Sequence, residues 1–531
     1  MSDEETERAA RESFDSLDDS FDWHPDPELV GFRDPLTSRR ALEELGSRTW
    51  AAALDYLYAE AMARPVRSES YAEGRRRFFG DGSRPVVAPL APTPAHEVLG
   101  EFRTRLAPHQ YNAAHPRSFS YFTPPPLPMS IAGEVLAQWV NQGVDVWHAG
   151  PSAAFVEEEV VAWLRQLVGF TDDGWGVLTS GGVMANIMAM TIARDRHLAA
   201  LLGVDEPPRG RALEGVRVYA SDQTHFSIAR ALDVLGFPPQ TLRVVASDER
   251  FRLQGADVDD AIRADREAGL LPVAISAVAG STNTGSVDPT GELADVAGEH
   301  GLWLHVDAAY GGAARLSMRD AARVPDLDRA DSVTIDPHKW FFQAYDIGAL
   351  IVKRRDDLMQ TFHRSPEYYR SSRPEDQPLH WYQYSIEGTR RFRALKLWLS
   401  WKHLGTQGFG RLVERNDDLA AYLAERIREA DDFEALPPHP ELSVVCFRHL
   451  PGGRTATAID PTLVDAYQDA LQRALERSGE AWVSTTKLRG RTYLRAGVMN
   501  YLSNRSDVDA TLDALRRLSP EARELAGISP E

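Results

Sequence analysis

The sequence predicts an α/β fold: a mostly parallel central sheet, with an N-terminal helical segment before it and a small C-terminal α+β domain after it. Three observations carry this prediction. Short apolar strands alternate with helical patterns from about residue 150 to 360. An apolar repeat of helical spacing runs through residues 38–65. Beyond about residue 405, long helical patterns near 408–430 and 461–478 accompany the strand-like pieces "LSVVCFRHL" and "TYLRAGVMN". Strands alternating with helices bury both faces of a sheet, which favours parallel pairing.

The elements follow in order. Residues 1–30 are acidic and polar, without the apolar core of a secretion signal, and read as a disordered tail. Residues 31–149 form the N-terminal helical segment, expected to serve in dimerisation. Its first helix ends at Pro65, and its proline- and aromatic-rich stretch, 83–128, closes on "HPRSFSYFTPPPLP". Residues 150–404 form the large α/β domain. "VEEEVVAWLRQLVGF" places Val160, Trp163, Leu164 and Leu167 on one helix face. "WGVLTS", "VRVYAS", "LRVVAS", "LPVAISAVAG", "LWLHVDA", "SVTI" and "GALIVKR" are strands, and "MANIMAMTIARDRHLAALL" and "SIARALDVLG" are helices. Residues 405–531 form the small domain.

Bulk composition narrows the function. The chain has 531 residues, 43% of them hydrophobic, with 78 acidic against 59 basic side chains and a net charge of −19. That balance argues against nucleic acid and anionic membranes as partners. No apolar run approaches a membrane span. Cys446 is the only cysteine, so neither an internal disulfide nor a cysteine-built metal site can form. A reducing cytoplasm fits, and no metal is expected.

Four features fall at strand ends, where open α/β sheets bind ligands. "LTSGGVMAN" places Gly181 and Gly182 between a strand and a helix, where backbone N–H groups can meet an anion such as phosphate. It is not a P-loop, because no Gly-Lys-Ser/Thr follows. Alone, the turn serves equally well as a plain strand–helix junction. "SDQTHFSIARA" places His225 at a helix start, where a capping or core histidine is the plain alternative. "LHVDAAYGG" places Asp307 after an apolar strand; a carboxylate there needs a partner, and a helix cap or ion pair would also supply one. "SVTIDPHKWFF" puts Lys339 just past a strand that Pro337 stops, against Trp340, Phe341 and Phe342. Desolvation by those rings would weaken its preference for charge and make it an amine nucleophile. A snorkelling surface lysine is the alternative. Together, an anion cradle, a flat histidine, an aspartate and a lysine suit one cofactor, pyridoxal 5'-phosphate (PLP).

With those residues in view, the chain resembles the group II PLP-dependent decarboxylases, the family of aromatic-L-amino-acid and glutamate decarboxylases. "HVDAAYGG" and "DPHKW" resemble its aspartate and lysine signatures, and "SDQTHFSIARA" its ring-stacking histidine segment. "AVAGSTNTGSVDP" resembles the strand and loop before the aspartate, and "GTRRFRALKLW" a segment after its mobile loop. The likeness spans about residues 35–515. It implies the PLP-dependent transferase-like fold (fold type I), a homodimer sharing its site across the interface, and a carboxy-lyase of amino-acid metabolism.

Residue by residue, the resemblance implies that Lys339 carries the cofactor and Asp307 pairs with its ring nitrogen. His225 stacks on the ring, Gly181 and Gly182 contact the phosphate, and Thr282 lies beside the cofactor. Ala309 packs under the ring, and His338 neighbours phosphate and lysine. "SFSYFTP" resembles the substrate-pocket segment, which makes Tyr121 and Phe122 pocket candidates, joined by Trp147.

Two departures stand out. Many relatives carry Asn where this chain has Asp336, and a second negative charge beside a phosphate is unfavourable unless Asp336 turns away or pairs with His338. The family's mobile loop carries a tyrosine that returns a proton to the carbon left by CO2. Here "SPEYYRSSRPEDQPLHWYQYSIEG" offers Tyr368, Tyr369, Tyr382 and Tyr384, and Tyr382 is the chosen candidate. The expected reaction is decarboxylation of an L-amino acid, most readily an aromatic one, to its amine. An aldehyde synthase and a glutamate or aspartate decarboxylase are the alternatives. More distant ones are an aminotransferase or carbon–carbon lyase on the same fold and a non-catalytic binding protein.

Overall fold

Seven short segments rich in Val, Ile, Leu and Ala pair into one sheet: β1 (Trp175–Thr179), β2 (Val216–Ser221), β3 (Leu242–Val245), β4 (Leu271–Val278), β5 (Trp303–Asp307), β6 (Ser332–Ile335) and β7 (Gly348–Val352). The computed structural model describes residues 39–81, 88–91, 93–364, 379–453 and 459–528. The expected tail 1–30 lies outside them, as do Tyr368, Tyr369 and the "SSRP" run.

The strand order is β1-β7-β6-β5-β4-β2-β3. β7 runs antiparallel to both β1 and β6, and the other pairings are parallel. Six strands therefore share one direction, and their carboxyl ends line one edge. Every residue of β5, β6 and β7 is buried, as expected of strands covered on both faces. The segment "SVTI" forms β6 as expected, stopped where Asp336 and Pro337 remove the next ladder position.

Helix α2 (Gly182–Ile192) follows β1, and α3 (Ser227–Val234) follows β2. The helix expected to continue through "RDRHLAALL" does so, passing through a π-helical turn at Ala193–Leu198. A helix that the sequence reading did not name, α1 (Pro128–Val140), begins at the last residue of the proline-rich stretch, with Pro128 in its first turn, and ends at Asn141 in the left-handed region (φ 46°). Gly133 lets it approach α4 (Ala394–Glu429), since a Cβ there would lie 2.5 Å from Lys396 Cα. The helical run of α4 is interrupted at Gly405 (φ 63°).

A second sheet, of order β10-β11-β9-β8, is built from β8 (Phe433–Ala435), β9 (Val444–His449), β10 (Ser484–Leu488) and β11 (Arg491–Gly497). The helices Pro461–Ser478 and Arg505–Leu525 accompany it. The α+β reading of the C-terminal part holds; β8, β10 and the last helix were not foreseen.

Chain contacts divide the molecule into residues 116–475 with 481–531, which hold both sheets, and residues 1–115 with 476–480. In the latter, the helix Arg39–Asp55 runs on through a π-helical turn to Ala61, just short of Pro65. Asn112 ties that end down, accepting from Tyr56 Oη (2.7 Å) and donating to Arg64 O (2.7 Å). Among the described residues no helix is long and apolar enough to cross a membrane.

Candidate active site

The shared carboxyl edge of β1, β2, β4, β5 and β6 opens on a cavity of about 410 Å³. Of the residues singled out from sequence, Gly181, Gly182, His225, Thr282, Asp307, Ala309, His338, Lys339 and Phe122 all line it. The topology accounts for this convergence. Asp307 ends β5, Lys339 follows β6, and the glycine turn follows β1.

The glycine turn is shaped for close approach. Gly181 has φ 152°, open to glycine but strained for other residues. A Cβ on Gly182 would lie 2.7 Å from Asp336 Oδ2, and one on Gly348 would lie 2.5 Å from Gly181 Cα. The start of α2 leaves its first N–H groups without intrahelical acceptors, and Gly182, Val183 and Met184 line the cavity. Backbone N–H groups at such a helix start can meet an anion.

Asp307 is buried and held at both oxygens. Oδ2 accepts from Asn186 Nδ2 (2.8 Å), and Oδ1 from the Ala309 N–H (3.1 Å). The same Asn186 nitrogen donates to Ser227 Oγ (2.7 Å). Ser227 in turn faces His225 Nδ1, at 2.8 Å from its hydroxyl and 3.3 Å from its N–H. Nδ1 therefore accepts, and the imidazole proton sits on Nε2. Burial pushes the His225 pKa down, against the pull of Asp307. His305, beneath the site, donates from Nε2 to Asn186 Oδ1 (3.0 Å). Burial lowers its pKa to about 4, so it stays neutral.

Lys339 differs from its expected state. Trp340, Phe341 and Phe342 are fully buried but turn into the core, where Trp340 donates to Asn416 Oδ1 (3.0 Å) and Phe341 packs beside Trp401. The amine itself lies 3.1 Å from Asp336 Oδ2. Burial lowers its pKa, the Asp336 and Asp307 carboxylates raise it further, and the net shift is upward. Free of a ligand, Lys339 is a charged ammonium, because a carboxylate stands where only aromatic walls were foreseen.

Asp336 neither turns away nor takes His338 as its nearest partner. His338 Nε2 is 3.7 Å from Oδ2, farther than the lysine. His338 donates from Nδ1 to Ile347 O (2.6 Å), and burial pushes its pKa down. Asp336 Oδ1 is buried and has no hydrogen-bond partner among the described residues.

The cavity wall is aromatic. Phe122 stacks on Tyr310 (4.4 Å, 15°), and Tyr310 on Trp340 (4.9 Å). Phe226 and Tyr345 also line the wall, and both are more than half exposed. Tyr121, Trp147 and Tyr382 do not line this cavity. Tyr121 is 57% exposed and meets the edge of Trp482 (5.1 Å). Trp147 packs against Phe155 (4.8 Å), and Tyr382 sits beside His380 (5.9 Å), its N–H on Asp145 O (3.2 Å). Tyr384 is buried, with Arg355 donating to its hydroxyl (2.8 Å).

Sequence reading passed over Asn186, Tyr345 and Arg495. Asn186 was detectable as a lone amide in the apolar helix "MANIMAM", since a buried amide requires partners. Tyr345 carried no such signal. Arg495, in β11, lies over the Phe122 ring (4.5 Å) and donates to Thr282 O (2.9 Å), fixing the loop that brings Thr282 to the cavity.

The residues fit PLP. The α2 start suits its phosphate, Asp307 a protonated ring nitrogen, His225 a flat ring, and Lys339 an aldehyde.

Comparison with known proteins agrees. The family model described as "Pyridoxal-dependent decarboxylase conserved domain" matches residues 82–450. An aromatic-L-amino-acid decarboxylase of Bacillus atrophaeus is 33% identical over 413 residues, covering 78% of this chain and 82% of that protein. A cysteine sulfinic acid decarboxylase of Mus musculus is 34% identical over 358 residues, covering 67% and 71%. The crystal structure of Oryza sativa TDC with PLP and tryptamine superposes with a TM-score of 0.84 at 26% identity, covering 92% of this chain and 99% of that one.

Proposed function

Since the chain belongs to the pyridoxal-dependent decarboxylase family, with the type I fold, PLP as cofactor and carboxy-lyase chemistry, we propose that it converts an aromatic L-amino acid to the amine and CO2. One observation carries the choice of substrate. Phe122, Phe226 and Tyr345 line the cavity, and among the described lining residues Lys339 is the only lysine or arginine. A flat apolar side chain is received by such walls. A second substrate carboxylate would find no further lysine or arginine among the described lining residues, since Lys339 is committed to the cofactor.

PLP, when bound, supplies the electron sink. The chain supplies the rest. Lys339 would hold the cofactor through its side-chain amine. Asp307, fixed by Asn186, would hold a proton on the ring nitrogen. His225 presents Nε2–H, oriented through Ser227. Gly181, Gly182 and the α2 amides hold the phosphate, with His338 nearby. Thr282 and Ala309 bound the ring, and Phe122 bounds the substrate. Tyr382 delivers the proton that completes the amine, and Tyr121 and Trp147 complete the pocket; all three do so in the dimer.

The working form is a homodimer in the cytoplasm. Helix α1 supports the dimer: Ile131, Val135, Leu136, Trp139 and Val140 are all exposed on it, as is Phe155 on the helix Pro151–Val168. Such a patch is costly in water.

The test is a panel of the proteinogenic L-amino acids scored for CO2 and amine. Turnover of tyrosine, tryptophan or phenylalanine, well above glutamate, aspartate and cysteine sulfinate, is the expected result. Preference for an acidic substrate would replace this reading with the one the Mus musculus relative suggests.

A further inference from the structure

The anion cradle and Asp336 compete for one place. Asp336 Oδ2 lies 2.7 Å from where a Gly182 Cβ would stand, so a carboxylate is pressed against the turn that receives a phosphate. The phosphate ester of a cofactor is close to dianionic near neutral pH. Like charges sharing one site do not both stay ionised.

Among the described residues, the Lys339 ammonium acts on Asp336 and the Lys396 ammonium, from α4, on His338. Lys339 Nζ is 3.1 Å from Oδ2 and His338 Nε2 is 3.7 Å from it. His225, Asp307 and Tyr345 stand around the same cavity. Lys339 cannot serve both the carboxylate and a cofactor. His338 spends its Nδ1 proton on Ile347 O, so in the neutral ring Nε2 carries none. Two acceptors then lie 3.7 Å apart with no proton between them. Oδ1, the other oxygen of the carboxylate, is buried and has no donor among the described residues. One added proton cancels the charge beside the phosphate, gives the pair a donor where neither Nε2 nor Oδ1 now has one, and frees Lys339 from its ion pair.

We propose that Asp336 makes cofactor binding proton-linked: the chain takes up PLP together with one proton from solvent, held on the Asp336–His338 pair. The proton belongs to the pair rather than to either residue. The balance is simple. A carboxylate facing a neutral imidazole gains H⁺ and becomes either a carboxylic acid or a carboxylate–imidazolium pair. The inference rests on the cofactor assignment above and deepens it. Cofactor affinity falls as pH rises, and Asp336→Asn, an amide of the same shape, abolishes that dependence.

The test uses the apoprotein and 4-deoxypyridoxine 5-phosphate, which carries the phosphate but no aldehyde, so Lys339 stays the charged ammonium and the count reports the effect of the phosphate on the Asp336–His338 pair. Calorimetric titration in two buffers of different ionisation enthalpy counts protons. At about pH 8, where the free ester is already dianionic, the wild type should take up close to one proton more than Asp336→Asn. Its Kd should weaken about tenfold more per pH unit than the variant's, as linkage to one proton requires. Binding with equal proton counts and parallel pH slopes in the two proteins overturns the inference and leaves the cofactor assignment intact. If Asp336→Asn does not fold, the wild type decides alone: uptake below about half a proton at that pH overturns the inference. If the wild type binds neither this probe nor PLP, judged by a Schiff-base absorbance band, the cofactor assignment falls and the inference falls with it.

Discussion

Asn186 Nδ2 donates to Asp307 Oδ2 at 2.8 Å, and the Asn186 carbonyl accepts from Thr334 Oγ1 at 2.7 Å. One amide thus joins α2, β5 and β6 beneath the cavity and fixes the direction in which the carboxylate points. Asn186→Ala should leave Asp307 short of a donor. Expected are a fall in kcat of about 10–100-fold at saturating PLP and a stability loss of about 1–3 kcal/mol in urea unfolding. A variant with wild-type kcat would show that Asp307 needs no such orientation.

Lys339→Ala should lose the Schiff-base absorbance and all turnover. Borohydride treatment followed by peptide mapping checks it: the wild type should carry one reduced adduct on Lys339, and the variant none. An adduct retained elsewhere would move the cofactor-bearing role to another lysine.

Asp417 gives a pH prediction away from the site. It is buried, both its oxygens lack hydrogen-bond partners among the described residues, and Arg323 is 3.7 Å distant. Burial, then the neighbouring Asp320 carboxylate, push its pKa well up. A folded pKa above the unfolded one means that stability is present below the unfolded value, about 4, and is lost as pH rises toward the folded one. Asp417→Asn should therefore raise stability at pH 7 by about 1–3 kcal/mol and change it little at pH 3. Melting curves at the two pH values decide.

Trp139→Asp, on the exposed face of α1, should turn a dimer into monomers in sedimentation while leaving the circular dichroism unchanged. Wild type sedimenting as one chain with full activity would remove the dimer from the proposal.

Tyr382→Phe should cut amine formation and raise aldehyde, measured with ammonia and peroxide release, without loss of bound cofactor. Tyr384 is a poor substitute candidate because Arg355 occupies its hydroxyl. Wild-type behaviour of Tyr382→Phe would turn attention to Tyr368 and Tyr369. Aldehyde as the native product would favour the synthase reading.

What the sequence made legible was backbone punctuation. Strand β6 could be read because three apolar or β-branched residues, Val333, Thr334 and Ile335, run into Asp-Pro; a strand end in a parallel sheet is where ligands meet side chains, which made Lys339 after β6 and Asp307 at the end of β5 candidates, and the family resemblance supplied their roles. Helix α1 was hidden because the prolines before it dominate the local reading, although Pro128 is itself a good helix start. The charge state of Lys339 was misread for a different reason. Sequence adjacency put three aromatics beside it, whereas the turn after β6 sends those rings into the core and brings back Asp336, three residues earlier. Which neighbours a side chain meets across a tight turn is decided in three dimensions.

The reversal of β7 has an engineering consequence. Because β6 arrives at the cavity edge and β7 leaves from it, residues 336–347 begin and end at the same rim, carrying Asp336, His338, Lys339 and Tyr345 as a single cassette. Exchanging that cassette between relatives would alter charge, anchor and wall together while the ladders Ser332↔Val352 and Ile335↔Ala349 stay in register. The hairpin is thus a contiguous unit of chemistry, and an exchange must keep Trp340, Phe341 and Phe342, whose buried rings tie it to the core.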